Sequence, residues 1–205
     1  MLLVHETTVP FLQKIVEETK ILPAKMFDKR FKTSRYNNVY LGVLFKSLSM
    51  FPEDICKVAG KQYFDDKVIL FFDKDLLTSQ KPECWSPSWR FGDCSKKDSI
   101  RYKPTLTSEE NIKLWESQMK APASHGAFLK SNRPLYLPKQ QFGQNELVFS
   151  KPIDFTHLVG IFCMDKDVIL PGHIVRLSTL DQLTIFLRSH GYKYSPRNTT
   201  RRNRK

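Results

Sequence analysis

No apolar run in this chain approaches the roughly 20 residues needed to span a bilayer, so no transmembrane helix is expected. The N-terminus, MLLVHETTVPF, lacks a basic n-region and carries Glu6 early, which argues against a secretory signal. The four cysteines (Cys56, Cys84, Cys94, Cys163) form no CxxC pair. Cys84 and Cys94 would meet on a zinc ion only with two further ligands from afar, whereas structural zinc sites pair close ligands. No metal site is therefore expected, and reduced thiols are the simpler reading. The chain also has no GxxxxGK phosphate loop, no internal repeat and no Ser/His/Asp ordering.

Charge of one sign is abundant. The 205 residues carry a formal charge of +12, which implies an anionic partner, nucleic acid or an acidic membrane surface. A hydrophobic content of 40% gives a proper core, enough for one domain with insertions or an appendage. Aromatics make up 12%, and several lie beside Lys or Arg, among them Trp89, Tyr192 and Tyr194. Rings next to cations suit single-stranded nucleic acid, on which each stacked base is worth roughly 1–3 kcal/mol.

Read in order, Thr8 to Lys20 has helical spacing (Phe11, Leu12, Ile15, Val16), with Pro10 in its first turn. A basic connector, Lys25 through Arg35, follows. Tyr36 to Ser47 alternates as a strand, with Gly42 marking a bend, and Lys67 to Asp73 is a second, apolar strand. Pro52 to Ala59 reads as a short helical stretch between them. A turn-rich patch holds Trp85, Trp89 and Arg90. Thr107 to Met119 is a helix opened by a Thr107/Glu110 capping box, with Ile112, Trp115 and Met119 on one face. Residues 121–151 read as a long loop with a short strand at Glu146 to Phe149. Three strands are expected to close the domain, at Phe155–Met164, Val168–Leu177 (broken at Pro171-Gly172) and Thr184–Arg188. The order suggests a mainly β protein with added helices, a five-stranded Greek-key barrel of the OB type with inserted loops. The boundaries are an N-terminal helix and connector over 1–35, the barrel over 36–194 and a basic disordered tail over 195–205.

Catalysis is not expected. Asp73-Lys74-Asp75 after an apolar strand would suit a two-carboxylate metal site, but no third carboxylate follows. His5-Glu6-Thr7 is half of a two-histidine phosphoesterase pattern, yet none of His125, His157, His173 or His190 begins the second half. The reading is a binding protein without catalytic residues, cofactor, small-molecule substrate or membrane contact.

Met164-Asp165, Val168-Ile169-Leu170, the turn Pro171-Gly172-His173, Ile174-Val175-Arg176-Leu177, Ser178–Leu180, Ile185-Phe186-Leu187, His190-Gly191, Tyr194 and Arg197 follow one another in order. The series resembles the end of the second OB fold of the protection-of-telomeres family. KVILFFDKD and the Trp85–Arg90 patch resemble an earlier strand and tryptophan of the same family. Met164, His173, Tyr192 and Ser195-Pro196 depart from its pattern. The resemblance implies a nuclear protein at chromosome telomeres. It would bind the G-rich single-stranded 3′ overhang, protect it and limit telomerase access, with other telomere proteins as candidate partners. Another single-strand-binding OB protein, for DNA or RNA, or an OB adaptor for proteins, is the alternative. The implied nucleic-acid contacts are Tyr40, Trp85, Trp89, Arg90, Phe162, Asp165 and Arg176. Arg188, His190, Gly191, Tyr192, Lys193, Tyr194 and Arg197 complete the set.

Overall fold

The computed structural model describes residues 1–27, 37–44, 67–86, 94–97, 99–119, 146–163, 169–172 and 174–192. Their strands are β1 (Leu2–Thr8), β2 (Lys20–Ile21), β3 (Val39–Leu44), β4 (Lys67–Asp73), β5 (Cys84–Ser86), β6 (Ile100–Arg101), β7 (Glu146–Phe149), β8 (Ile153–Asp154), β9 (Leu158–Cys163) and β10 (Val175–Leu177). The helices are α1 (Val9–Glu18), α2 (Ala24–Phe27), α3 (Leu76–Ser79), α4 (Ser108–Met119) and α5 (Leu180–Ser189).

Eight strands form one open sheet in the order β10-β9-β4-β1-β3-β7-β5-β6, and β2 pairs with β8 separately. The pairings are antiparallel except β10 with β9, which is parallel. Helices lie on both faces. Leu12 and Ile15 of α1, Leu76 and Leu77 of α3 and Trp115 of α4 pack on the face that carries Leu3, Leu41, Leu70, Trp85 and Leu147. Leu183, Phe186 and Leu187 of α5 cover Leu2, Val4, Leu44, Phe71 and Phe162 on the other. The five-stranded OB barrel is therefore corrected to an open, mixed, helix-covered sheet.

Two segments account for the error. MLLVHETT, weighed only as a possible leader, is the strand between β3 and β4, and its Leu2, Leu3 and Val4 are all buried. A strand covered on both faces reads as a continuous apolar run instead of an alternation. Thr184–Arg188, expected as a strand, lies within α5. Leu183, Phe186 and Leu187 share its buried face at helical spacing, and Ile185 points outward at 66% exposure. The helix start was written in Thr179-x-x-Gln182: Gln182 N donates to Thr179 Oγ1 at 3.2 Å, and Gln182 Oε1 accepts from Ser178 N at 2.7 Å.

The expectations for α1, β3, β4, α4 and β7 match elements of the structure. At α4 the capping box forms in full, with Thr107 N donating to Glu110 Oε2 at 2.7 Å and Glu110 N to Thr107 Oγ1 at 3.2 Å. Asp73 Oδ1 accepts from Asp75 N at 3.0 Å, so that carboxylate closes a turn after β4. The Pro52–Ala59 helix, most of the Lys25–Arg35 connector and the 195–205 tail lie outside the described residues. Among the described residues no helix is long and apolar enough to cross a membrane.

The cysteine expectation also changes. Cys84 of β5 is bonded to Cys94 in a disulfide, Cys163 is a buried free thiol and Cys56 lies outside the described residues. The bridge closes a short loop against the β5 end of the sheet. Removing a crosslink across 10 positions of sequence should release about 2–3 kcal/mol of chain entropy. Urea unfolding of Cys94→Ser should show a loss of that size, and an unchanged midpoint would contradict it.

Candidate functional site

The site is a fork in the sheet. β1 pairs with β4 along its whole length, from Leu2↔Asp73 to Thr8↔Lys67. With β3 it pairs at three positions only, Leu2↔Leu44, Leu3↔Val43 and Val4↔Gly42. β3 continues instead with β7, from Gly42↔Glu146 to Val39↔Phe149. Beyond Val4 and Gly42 the two strands part, and each leaves backbone groups facing the gap.

His5 stands where the gap begins. Its Nδ1 lies 3.0 Å from the Tyr40 carbonyl oxygen, which can only accept, so Nδ1 carries the hydrogen. That fixes the tautomer and turns Nε2 into the acceptor. Burial removes water from the ring and holds its pKa below the ordinary histidine range. The Tyr40 carbonyl and the Glu6 charge oppose this more weakly. His5 is thus a neutral hydrogen-bond acceptor at physiological pH. Because the folded pKa is the lower one, the unfolded chain takes up the extra proton below about pH 6.5, and stability falls as pH drops from there toward the folded value. Urea unfolding at pH 7.5 and pH 5 should show this loss, and it should be smaller in His5→Asn. An equal loss in both proteins would show that His5 is not its source.

Glu146 opens β7 on the other arm of the fork. It lies in one row across the sheet, Val4–Gly42–Glu146–Ser86. Two strand spacings, roughly 10 Å, separate its backbone from that of Val4, the neighbour of His5. Gly42, between Val4 and Glu146 in that row, has no side chain, while His5, one residue on from Val4, alternates to the face of Leu3 and Leu70. Alternation puts Leu147 and Phe149 in the core and leaves Glu146 half-buried on the opposite face. That face of β3, β7 and β5 also carries Tyr40, Val148, Cys84 and Ser86, the last three of them buried. Ser86, fully buried, accepts from Ser99 Oγ at 3.2 Å. The Cys84–Cys94 bridge fastens the segment that supplies Ser99.

The residues expected to contact nucleic acid are scattered by this fold. Tyr40 is half-buried beside the fork. Trp85 at 1% exposure and Phe162 at 2% are core, with no ring face open to a base. His190 caps α5, its Nδ1 2.8 Å from the Phe186 carbonyl oxygen and its ring 4.4 Å from the Phe186 ring. Gly191, at φ 80°, is the left-handed residue that ends the helix, and Tyr192 is buried at 3%. Arg188 is exposed in the last turn of α5, where a cation complements the helix dipole, and Arg176 is half-buried on β10. Trp89, Arg90, Asp165, Lys193, Tyr194 and Arg197 lie outside the described residues. His5 and Glu146 were missed. The available signals were an apolar run ending in histidine and a carboxylate at the first position of an apolar strand.

No family model and no curated protein matches the chain. Among solved structures it is similar to the DarT of Thermus sp. 2.9 in complex with carba-NAD+, at TM-score 0.47 and 13% identity, covering 94% of this chain and 91% of that one. The same DarT in complex with ADP-ribosylated ssDNA matches at TM-score 0.46 and 12% identity, over 94% and 90%. Thermosipho africanus DarTG in complex with ADP-ribose matches at TM-score 0.51 and 10% identity, over 88% of this chain and 50% of that one.

The open sheet and the fold similarity to T. africanus DarTG overturn the telomere-protection resemblance. With it fall the end-protecting function and the nuclear, telomeric location, which rested on that resemblance alone. The expectations of no catalysis, drawn from motifs the chain lacks, and of no small-molecule substrate are withdrawn as well; the solved neighbours are complexes with NAD+, its carba analogue or ADP-ribose. Single-stranded DNA appears in one of them as an ADP-ribosylated strand, with no G-rich telomeric sequence indicated. The open mixed sheet of this chain is similar in fold to part of T. africanus DarTG, of which it spans about half the length.

Proposed function

We propose that this chain is an enzyme that takes the ADP-ribose part of NAD+ into the fork between β1 and β3 and transfers it to a single-stranded nucleic acid. The observation that carries the reading is the fork itself: a ladder that stops after three pairs, with a tautomer-fixed neutral histidine on one arm and a half-buried glutamate on the other. The fold shared with a DarTG that binds ADP-ribose supports the choice of ligand. The charge of +12 supports a nucleic-acid acceptor.

Each residue has a role that follows from its chemistry. The bare Nε2 of His5 accepts from a ribose hydroxyl and orients the sugar. A charged imidazole could not do so, which is why burial matters here. Glu146 supplies negative charge beside the ribosyl carbon, where positive charge builds as the bond to nicotinamide breaks and its electron pair leaves with the nicotinamide. The same carboxylate takes the proton of the acceptor as the new bond forms. Gly42, without a side chain in the row that carries Glu146, lets the sugar lie close to the sheet. Tyr40, the one expected nucleic-acid contact beside the fork, offers a ring to the incoming strand or to the nucleotide.

Purified protein, labelled NAD+ and single-stranded oligonucleotides of mixed sequence test this directly. Label should pass to the oligonucleotide with release of nicotinamide. Release without transfer would replace the acceptor by water, and neither event, in folded protein, would reject the reading.

A further inference from the structure

The β1–β3 ladder is bounded at both ends by side chains. His5 closes the open end through the Tyr40 carbonyl. At the other end the hydroxyl of Tyr192 stands between the strands: it accepts from Leu2 N at 2.7 Å and donates to Leu44 O at 2.7 Å. Leu2 and Leu44 are the last pair of the ladder among the described residues, and a single oxygen bridges them.

The sequence brings that oxygen there by a specific route. Gly191 N donates to Arg188 O at 2.9 Å and Tyr192 N to Leu187 O at 3.1 Å, the paired bonds of a helix end turned by a left-handed glycine. The turn drops the Tyr192 ring into the cluster formed by Leu2, Val4, Leu44 and Phe186, with its hydroxyl reaching the backbone of both strands. A phenylalanine would fill the same space. The hydroxyl is therefore placed for its two hydrogen bonds, and removing it leaves a buried N–H and a buried C=O without that partner.

We propose that Tyr192 is a positioning residue for the fork: its hydroxyl sets the separation of β1 and β3 at the Leu2↔Leu44 pair, and through the pairs that follow sets where His5 stands relative to β3 and its Tyr40 carbonyl. Only two pairs, Leu3↔Val43 and Val4↔Gly42, lie between the bridged pair and His5. A change of spacing at Leu2 therefore has a short, stiff path to the site. The inference rests on the reading of the fork as an ADP-ribose site, and it adds a residue that touches neither ligand nor reacting atoms.

Tyr192→Phe tests it. Against wild type, ADP-ribose should bind about tenfold more weakly by calorimetry, because the site now holds His5 in a range of positions. In an NAD+ assay KM should rise more than kcat falls. The Leu2 amide should exchange with deuterium at least tenfold faster, having lost its acceptor. Leu183→Val, in the same cluster but with no polar atom to bond the ladder, serves as a control that loosens packing and should bind ADP-ribose as wild type does. Unchanged binding by Tyr192→Phe would overturn the positioning role while leaving the fork reading intact. No ADP-ribose binding by wild type, with faster Leu2 exchange in the variant, would overturn the fork reading and leave the bridge as structure alone. Should Tyr192→Phe fail to fold, the Leu2 amide of wild type should exchange more slowly when ADP-ribose is bound. No such change would overturn the coupling.

Discussion

Glu146→Gln should lower NAD+-dependent modification of a single-stranded oligonucleotide by about 10²–10⁴-fold while leaving ADP-ribose affinity within a few-fold of wild type. The substitution keeps the shape of the side chain and its hydrogen-bonding atoms, and removes only the charge and the proton-accepting oxygen. If the carboxylate acts on charge that exists only as the nicotinamide bond breaks, the loss falls on kcat and not on binding. Urea unfolding should be little changed, since Glu146 stands half-buried at the start of β7, while its neighbours Leu147 and Phe149 carry the packing. Equal losses of binding and turnover would make Glu146 a ligand anchor. Full activity would remove it from the chemistry.

Phe162→Ala should destabilise the fold by about 3–5 kcal/mol. The ring is 2% exposed in β9, inside the cluster that joins β1, β4, β9, β10 and α5. Its removal leaves a cavity where Leu2, Val4, Phe71 and Leu187 meet, and the sheet cannot close over it without moving α5. A ring that stacked on a base would behave in the opposite way, with stability kept and nucleic-acid affinity lost. Denaturant unfolding and an oligonucleotide titration on the same preparation separate the two. The structure predicts a large shift in midpoint and, at a temperature where the variant is folded, unchanged affinity.

The contrast between these two residues shows what could be read from the chain and what could not. β3, β4 and β7 were legible because short apolar strands bounded by polar turns carry their own signal. α4 was legible through its capping box, which the hydrogen bonds at Thr107 and Glu110 reproduce. β1 was not. A strand buried on both faces has no alternation, and Leu2-Leu3-Val4 at the very start of the sequence was tested as a leader and rejected without being read as a strand. α5 was misread because Thr184-Ile185-Phe186 is β-branched and aromatic, and local propensity there is overridden by the packing of Leu183, Phe186 and Leu187 on the sheet. Once that helix was read as a strand, a closing β-barrel followed, and His190-Gly191-Tyr192 became the lip of a groove instead of a helix end.

The site was even less legible, for a physical reason. His5 and Glu146 are separated by 141 positions and stand on strands that both flank β3. Neither sits in a motif that announces its chemistry. The histidine becomes a fixed acceptor through the Tyr40 carbonyl, a backbone group whose identity no side-chain pattern records. The excess of positive charge, by contrast, was plain from composition. It pointed to an anionic partner without indicating any chemistry.

The claim on which the account turns is that the bare Nε2 of His5 receives a hydroxyl of the ADP-ribose unit. Nitrogen-15 NMR of the imidazole side chains, recorded at neutral pH during a titration with ADP-ribose, reads that nitrogen directly. The account predicts that His5 begins as the Nδ1–H tautomer, that Nδ1 stays protonated throughout, and that the Nε2 resonance moves to the hydrogen-bonded range in step with ligand binding. An Nε2 signal that stays in place while ADP-ribose binds, or a His5 that begins charged, would contradict it.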